Sequence, residues 1–502
     1  MASSGLGMLL EIESSAPRIL SPPPTLRKDD RQGVTQRLSD FELDEFKSFK
    51  SPAQIPTEQG IQPSVNPPSP TPSALEGQAP TPATEGRPMG WDADRTTVSW
   101  KVKWRVLSTC LMQFGNGMND SAPGALIPYM EEHYHIGYAV VSLIFVTNAL
   151  GFLSVAPIAH SIEQKLGRSK SYGLAITSLA VAYVIIICQP PFPVVVVSFF
   201  LLGFGLALNL ALSNVYCANL PNATTALGCM HGSYGIGGTV APLFATAMAS
   251  HGIRWSFFYI LTLGVCLGNI GFSWWAFSNF EKEETAEAQR VTRSAGHTAV
   301  NDVEGPTRTQ ILKQSLKNRT TLLGALFIFA YQGAEVSVSG WVVSFLISYR
   351  HGDPSRVGYV SAGFWGGITV GRFLLTRPAF KVGEKIAVLF MMAGAVAFQL
   401  LTWLVPNVIG EAVMVAILGV LLGAVYPCSA SVFTKLLPRH LHISSLSFIS
   451  ALGSSGGAVS PFFTGLLAQN VGTFVLHPIC LGLYGVMAAS WLMLPKISKR
   501  SE

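Results

Sequence analysis

From Trp104 onward the chain is a succession of apolar runs, most of them closed by proline or charge. The runs are about 20 residues long, the length at which a helix matches the ~30 Å hydrocarbon core of a bilayer. In that solvent every backbone N–H and C=O must be paired within the protein, which leaves helices as the economical answer for runs of this length. Composition points the same way. The 502 residues are 49% hydrophobic and 12% charged, against about 25% charged in an average soluble domain. The pattern predicts an all-α polytopic membrane protein in contact with a lipid bilayer.

Twelve spans are expected. Six lie near 106–130, 138–160, 171–189, 193–218, 227–250 and 255–277. Six more lie near 321–348, 356–377, 385–405, 411–434, 443–469 and 474–494. The implied domains are a tail at 1–100, a six-helix bundle at 101–278, a central loop at 279–319, a second bundle at 320–496 and a short tail at 497–502. The first tail is proline-rich and too poor in apolar residues to offset the entropy of ordering, so it is expected to be disordered. Its Ser51, Ser69, Thr71 and Thr81 each precede proline, and SDFELDEFKSF (39–49) opens with a capping-box pattern. No cleavable signal peptide is expected, because no basic stretch, apolar core and small-residue cleavage site follow one another at the N-terminus.

Lysine and arginine in short loops set orientation. One side receives Lys165, Arg168, Lys170, Arg377, Lys381, Lys385, Lys435 and Arg439, the central loop with Lys282, Arg290, Arg293, Arg308, Lys313, Lys317 and Arg319, and Lys496, Lys499 and Arg500. The other receives only Arg254, Arg350 and Arg356. Both termini are therefore expected in the cytosol, consistent with an even number of spans. The plasma membrane is the expected location, with the vacuole or another organelle as the alternative.

The halves repeat. GGTVAPLF (237–244) returns as GGAVSPFF (456–463), and Leu201-Leu202-Gly203 returns as Leu421-Leu422-Gly423. The offsets, 219 and 220 residues, come from different helices and agree to one residue. Six spans separate the partners, so the two repeats share orientation, an arrangement that places a cavity between two rocking halves.

Two carboxylates interrupt the apolar runs, Asp120 in span one and Glu335 in span seven. An acid at mid-bilayer costs about 2.5–3.5 kcal/mol on insertion scales and should face a wet cavity or a partner. Either acid is a candidate for proton coupling or solute binding; the bland reading is a hydrogen bond joining two helices. Gln113, Asn116, Asn119, Asn148, Asn209, Asn214, His231, Tyr331, Gln332 and Tyr426 lie at similar depth and are candidate pocket-lining groups. Such amides and phenols suit a hydroxyl-rich or weakly charged solute. Trp341 is a candidate stacking surface for a sugar ring. Gly167, Arg168 and Lys170 after span two, and Arg372 at the matching end of span eight, are candidate cytosolic gate residues. The small-residue stretches GSYGIGG (232–238) and ALGSSGGA (451–458) are read as packing faces.

Other classes are excluded by what is missing. No basic face with interleaved aromatics marks a nucleic-acid binder despite the net charge of +6. The seven cysteines form no CxxC pair, and no P-loop, GxSxG or HExxH motif occurs. Neither a catalytic site, a metal site nor a cofactor is expected, and the protein is not read as an enzyme.

Twelve spans in two parallel repeats with a Gly-Arg-x-Lys turn (167–170) resemble the major facilitator superfamily. Finer features resemble its fucose permease-like branch, especially the fungal members: Asn119-Asp120, HGSYGIGG (231–238), YQGAEVSVSGWVVSFL (331–346), FWGGITVGR (364–372) and Tyr426-Pro427. The resemblance covers about 101–495 and implies alternating access, proton-coupled solute movement and a coupling role for Asp120. It also implies a second acid in span four, four residues before an asparagine. Counting back from Asn214 gives Leu210, which departs from that pattern. His160 and Glu163 stand where the superfamily's usual Asp would precede the basic turn. The expected function is secondary transport of a small organic solute with protons as partners, by a functional monomer. Export of a secondary metabolite or drug-like compound, and a transporter-like nutrient sensor with a signalling tail, are the alternatives.

Deleting residues 1–95 should leave transport intact, because a segment without a core-forming pattern contributes few packing contacts. Solute flux of the truncated protein in its own membrane, compared with full-length protein at equal surface level, checks this; an inactive but correctly sorted truncation would show the opposite.

Overall fold

The computed structural model describes residues 100–220, 222–283 and 308–495, which fall in one compact unit. The Ser/Thr-Pro sites, the SDFELDEFKSF segment, most of the central loop and residues 497–502 lie outside the described residues. Among the described residues all regular structure is helical.

The first group of helices is α1 (Trp100–Tyr134), α2 (Tyr138–Val141), α3 (Leu143–Val155), α4 (Ala159–Leu166), α5 (Arg168–Ile187), α6 (Phe192–Ala218), α7 (Ala223–Ser250) and α8 (Phe258–Phe277). The second is α9 (Arg308–Lys317), α10 (Arg319–Ser348), α11 (Pro354–Val357), α12 (Tyr359–Leu374), α13 (Thr376–Val382), α14 (Glu384–Leu404), α15 (Val408–Leu436), α16 (His442–Val471) and α17 (Leu476–Leu492). Among the described residues, 8 helical segments are long and apolar enough to cross a membrane. Helices α1, α7 and α16 are as long, at 35, 28 and 30 residues, but carry more polar and small side chains.

Boundaries differ from the sequence expectation in three places. Helix α1 runs from Trp100 to Tyr134, beyond 106–130 at both ends. The run at 138–160 is divided into α2, α3 and the start of α4, with Pro157, which has no N–H to donate, in the second break. The run at 356–377 takes in the end of α11, all of α12 and the start of the short α13. Helices α4 and α13 occupy equivalent places in the two groups and stop the same way. Gly167 (φ 75°) and Gly383 (φ 106°) take a left-handed turn open to glycine before α5 and α14 begin.

The two groups share one pairing scheme. Helix α1 packs on α7, α3 on α6, and α5 on α6 and α8; correspondingly α10 packs on α16, α12 on α15, and α14 on α15 and α17. The repeated sequence motifs are the seams of these pairs. A Cβ on Gly237 would strike the Phe114 carbonyl of α1, and one on Gly456 would strike the Phe329 carbonyl of α10. Gly203 bears in the same way on the Asn148 carbonyl of α3, and Gly423 on the Ile368 carbonyl of α12. In a lipid solvent, where apolar burial gives helices little drive to associate, this backbone-to-backbone approach supplies the van der Waals contact that holds a pair.

Between the groups, α7 packs on α12, α16 on α2 and α3, and α1 on α10. Gly423→Val should therefore destabilise by about 1–3 kcal/mol through overpacking. Gly482→Ala, where an added Cβ meets nothing within 4 Å, should be neutral or slightly stabilising in its helix. Thermal unfolding of the two purified variants in one detergent measures the contrast.

Candidate functional site

The space between the groups is closed at the end that carries Tyr138. Residues 121–127 of α1 and 337–346 of α10 are buried on every side. There Gly124 abuts the Ser339 carbonyl and Gly340 abuts the Phe145 ring. Trp341 packs against Tyr138 and Phe145 at ring distances of 5.8 and 6.3 Å, and Tyr129 donates to the Pro354 carbonyl at 3.4 Å. Toward the Gly167 end α10 instead shows a stripe of partly or fully exposed residues, Leu322, Leu326, Phe329, Gln332 and Val336.

Both acids sit just beneath the closure, one in each group. Asp120 on α1 accepts from the Tyr234 hydroxyl of α7 at 2.8 Å and from the Asn119 amide at 3.4 Å. Glu335 on α10 is buried, and its Oε1 lies 3.9 Å from Nη2 of Arg372 on α12. Sequence alone presents Glu335 as a lone carboxylate; the fold gives it a guanidinium, because Arg372 follows the tight α12–α15 seam into the same layer. Tyr331, one turn before Glu335, interacts with both members of the pair and donates to the Leu422 carbonyl of α15 at 3.2 Å. The two acids lie within electrostatic reach of each other, and Arg372 lies within reach of Tyr234 and His231. Over this layer Trp365 donates to Ser339 Oγ at 2.8 Å and meets Tyr234 edge-on at 6.0 Å.

The other candidates divide. His231 is exposed, one turn from Tyr234, and Tyr426 faces Tyr331 at 6.1 Å between ring centres. Gln332, Asn148 and Asn214 are partly exposed. Gln113, Asn116 and Asn209 are buried within the first group, where Asn209 donates to Asn116 at 3.2 Å and Asn116 to Gln113 at 3.3 Å. Ser213 and Tyr172 continue this network away from Asp120. These three amides line a small void among α1, α5, α6 and α8 only in part, through Asn116 and Asn209. Trp341 is 1% exposed, its indole donating to the Pro461 carbonyl at 2.8 Å. Its ring is enclosed by protein and offers no open face for stacking.

At the Gly167 end, Arg168 is held inside its own group. Its guanidinium pairs with Glu163 at 2.5 Å and lies over the Phe280 ring, and its backbone N–H donates to Glu281. Glu163 thus provides the carboxylate that the basic turn lacks by direct motif matching. Lys170 is exposed. Arg105 completes this layer by pairing with Glu283 at 2.9 Å and donating to the Ala276 carbonyl.

The family profile of the Major Facilitator Superfamily matches residues 109–461, more than half of the chain. The chain belongs to the major facilitator superfamily. It is a membrane transporter and not an enzyme. Bypass of stop codon protein 6 of Saccharomyces cerevisiae is 27% identical over 424 residues, 80% of this chain and 84% of that one. The glucose/mannose transporter GlcP of Bacillus subtilis is 22% identical over 379 residues, 75% of this chain and 90% of its own length. A glucose/galactose transporter of Brucella abortus is 31% identical over 184 residues, 34% of this chain and 43% of its own.

Two residues of this superfamily member's central layer escape a reading by residue type. Tyr234 lies in a stretch read as a packing face, yet it falls one turn after His231 on the same side of α7. Trp365 stands two turns before Arg372 on α12, inside a glycine-rich motif. Helical spacing from the candidate His231 and Arg372 was the available signal for both. Trp341→Phe should lose one buried hydrogen bond, about 0.5–1.5 kcal/mol of stability, and leave solute KM unchanged. A melting curve beside a KM measurement tests this; a raised KM at unchanged stability would place Trp341 against the solute.

Proposed function

We propose that this chain is a proton-coupled secondary active transporter of a small hydroxylated solute of the sugar class, working by alternating access. The observation that carries the reading is that Asp120 and Glu335, one from each helix group, lie within electrostatic reach of each other among phenols, an amide, an indole and the Arg372 guanidinium. An acid between two moving groups can load a proton from one side and release it to the other. Phenols, amides and an indole recognise hydroxyls and apolar ring faces without demanding charge. The sugar transporters of Bacillus subtilis and Brucella abortus support the solute class.

The same reading takes the chain as twelve spans in two parallel six-helix repeats, with both termini cytosolic, functioning as a monomer in the plasma membrane. The Gly167 end then faces the cytosol, and the geometry described corresponds to the inward-facing state. His231, Gln332 and Tyr426 are the proposed solute contacts. Gly167, Arg168 and Lys170 are the proposed cytosolic gate, with Arg168 locked to Glu163 in this state, whereas Arg372, paired with Glu335, is assigned to the central layer instead. Leu210 in place of a span-four acid favours a second reading, in which the solute is a metabolite carried outward rather than a sugar taken up.

Purified protein in liposomes with an imposed pH gradient, screened against glucose, mannose, galactose and a metabolite panel, decides among these. Accumulation of a solute that collapses with the gradient is the expected outcome; gradient-independent equilibration of every solute would exclude coupling. Asp120→Asn should abolish accumulation while preserving exchange of solute across the membrane. Wild-type accumulation in that variant, or loss of thermal stability with normal flux, would leave Asp120 as a helix-joining group.

A further inference from the structure

The two acids of the central layer are not equivalent. Asp120 is held by neutral donors only, Tyr234 and Asn119. Glu335 faces the guanidinium of Arg372 at 3.9 Å, with side-chain exposures of 9% and 23%. The groups around them come from every helix that meets there. Helix α5 contributes Tyr183, within reach of Asp120, α7 contributes His231 and Tyr234, and α10 contributes Tyr331 and Glu335. Helix α12 contributes Arg372 and Trp365, α15 the Leu422 carbonyl, and α17 Tyr484, within reach of Glu335. His231 lies within the field of Arg372.

Within the second group, α10 packs chiefly on α16 and α17, whereas α12 packs chiefly on α15. Glu335, Arg372, Tyr331 and the Leu422 carbonyl form a polar chain that joins these two packing sets. A guanidinium and a carboxylate that are both largely shielded from water neutralise each other, and removing one partner strands the other charge.

We infer that Glu335 and Arg372 act as one charge-neutral positioning unit that fixes α10 to α12 and α15, leaving Asp120 as the single proton carrier for an uncharged solute. This inference rests on the transport reading above and divides the labour that reading assigns to both acids. Deprotonated, the layer carries one uncompensated negative charge; one proton on Asp120 cancels it. A neutral solute leaves that balance unchanged, whereas an anionic one would have to displace Glu335 from Arg372.

The test uses the full-length protein in liposomes with radiolabelled glucose, comparing Glu335→Gln, Arg372→Gln and the double variant. Each single variant should lower gradient-driven accumulation about tenfold or more, since each strands a charge. The double variant should recover most of that loss. With the membrane potential clamped at zero, flux in both wild type and double variant should reverse when a tenfold solute gradient opposes about one pH unit, the equivalence expected for one proton per solute. A second double, Glu335→Arg with Arg372→Glu, restores the pair in reverse and guards against a local packing fault in the first. Doubles no better than the worse single, or doubles that fail to fold where each single folds, would overturn the inference. So would a wild-type reversal at about half a pH unit that moves to one unit in the double, which would place a second proton on Glu335. A wild type that accumulates none of glucose, mannose or galactose overturns the sugar reading itself, and this inference with it.

Discussion

Close approach of helix backbones at glycine is the constraint on which the other features depend. Where Gly237 and Gly456 meet the Phe114 and Phe329 carbonyls, α7 and α16 are drawn against α1 and α10. These are the helices that carry Tyr234, Asp120 and Glu335. Where Gly203 and Gly423 meet the Asn148 and Ile368 carbonyls, α6 and α15 are drawn against α3 and α12. A bilayer offers no large hydrophobic reward for bringing two apolar helices together, so the seam must come from contact itself. The Tyr234–Asp120 hydrogen bond at 2.8 Å is a consequence of the first seam, since Gly117 of α1 lies against the Tyr234 carbonyl.

The seams also explain how a chain so apolar accommodates charge. Four buried or half-buried arginines are brought to carboxylates by the packing around them. Arg105 reaches Glu283, Arg168 reaches Glu163, Arg350 reaches Glu411 and Arg372 approaches Glu335. Three of these pairs sit near helix ends and staple loops to the bundle. Glu335 and Arg372 differ by position, lying in the layer between the groups, where their neighbours include groups from both. Asp120 differs again, because neutral donors alone hold it.

Much of this was legible in the sequence, and the reasons are specific. The repeats GGxVxPxF and Leu-Leu-Gly were visible because close approach admits only glycine at those sites, so packing wrote itself into residue identity. Asp120 and Glu335 stood out because an acid in an apolar run is conspicuous whatever surrounds it. The pairing of Glu335 with Arg372 was not legible, since 37 residues and a loop separate them and only the α12–α15 seam sets the arginine's depth. The enclosure of Trp341 was not legible either. An indole beside polar residues looks like a binding surface, and only the closure of α2, α3 and α16 over α10 encloses it. The inward network of Gln113, Asn116 and Asn209 follows from helix rotation, which residue type does not report.

Alternating access is most directly tested by following both ends of the molecule at once. Spin labels at Glu132 and Ser355 report the Tyr138 end, and labels at Lys170 and Lys381 report the Gly167 end, in protein whose exposed Cys188 and Cys229 have been replaced. Pulsed electron-resonance distances would be recorded in lipid at two pH values, with and without glucose. The expected result is opposite movement, the 132–355 distance lengthening as the 170–381 distance shortens when protons and solute are supplied. Distances at both ends that stay fixed, or that change in the same direction, would contradict two groups rocking about a shared acidic layer.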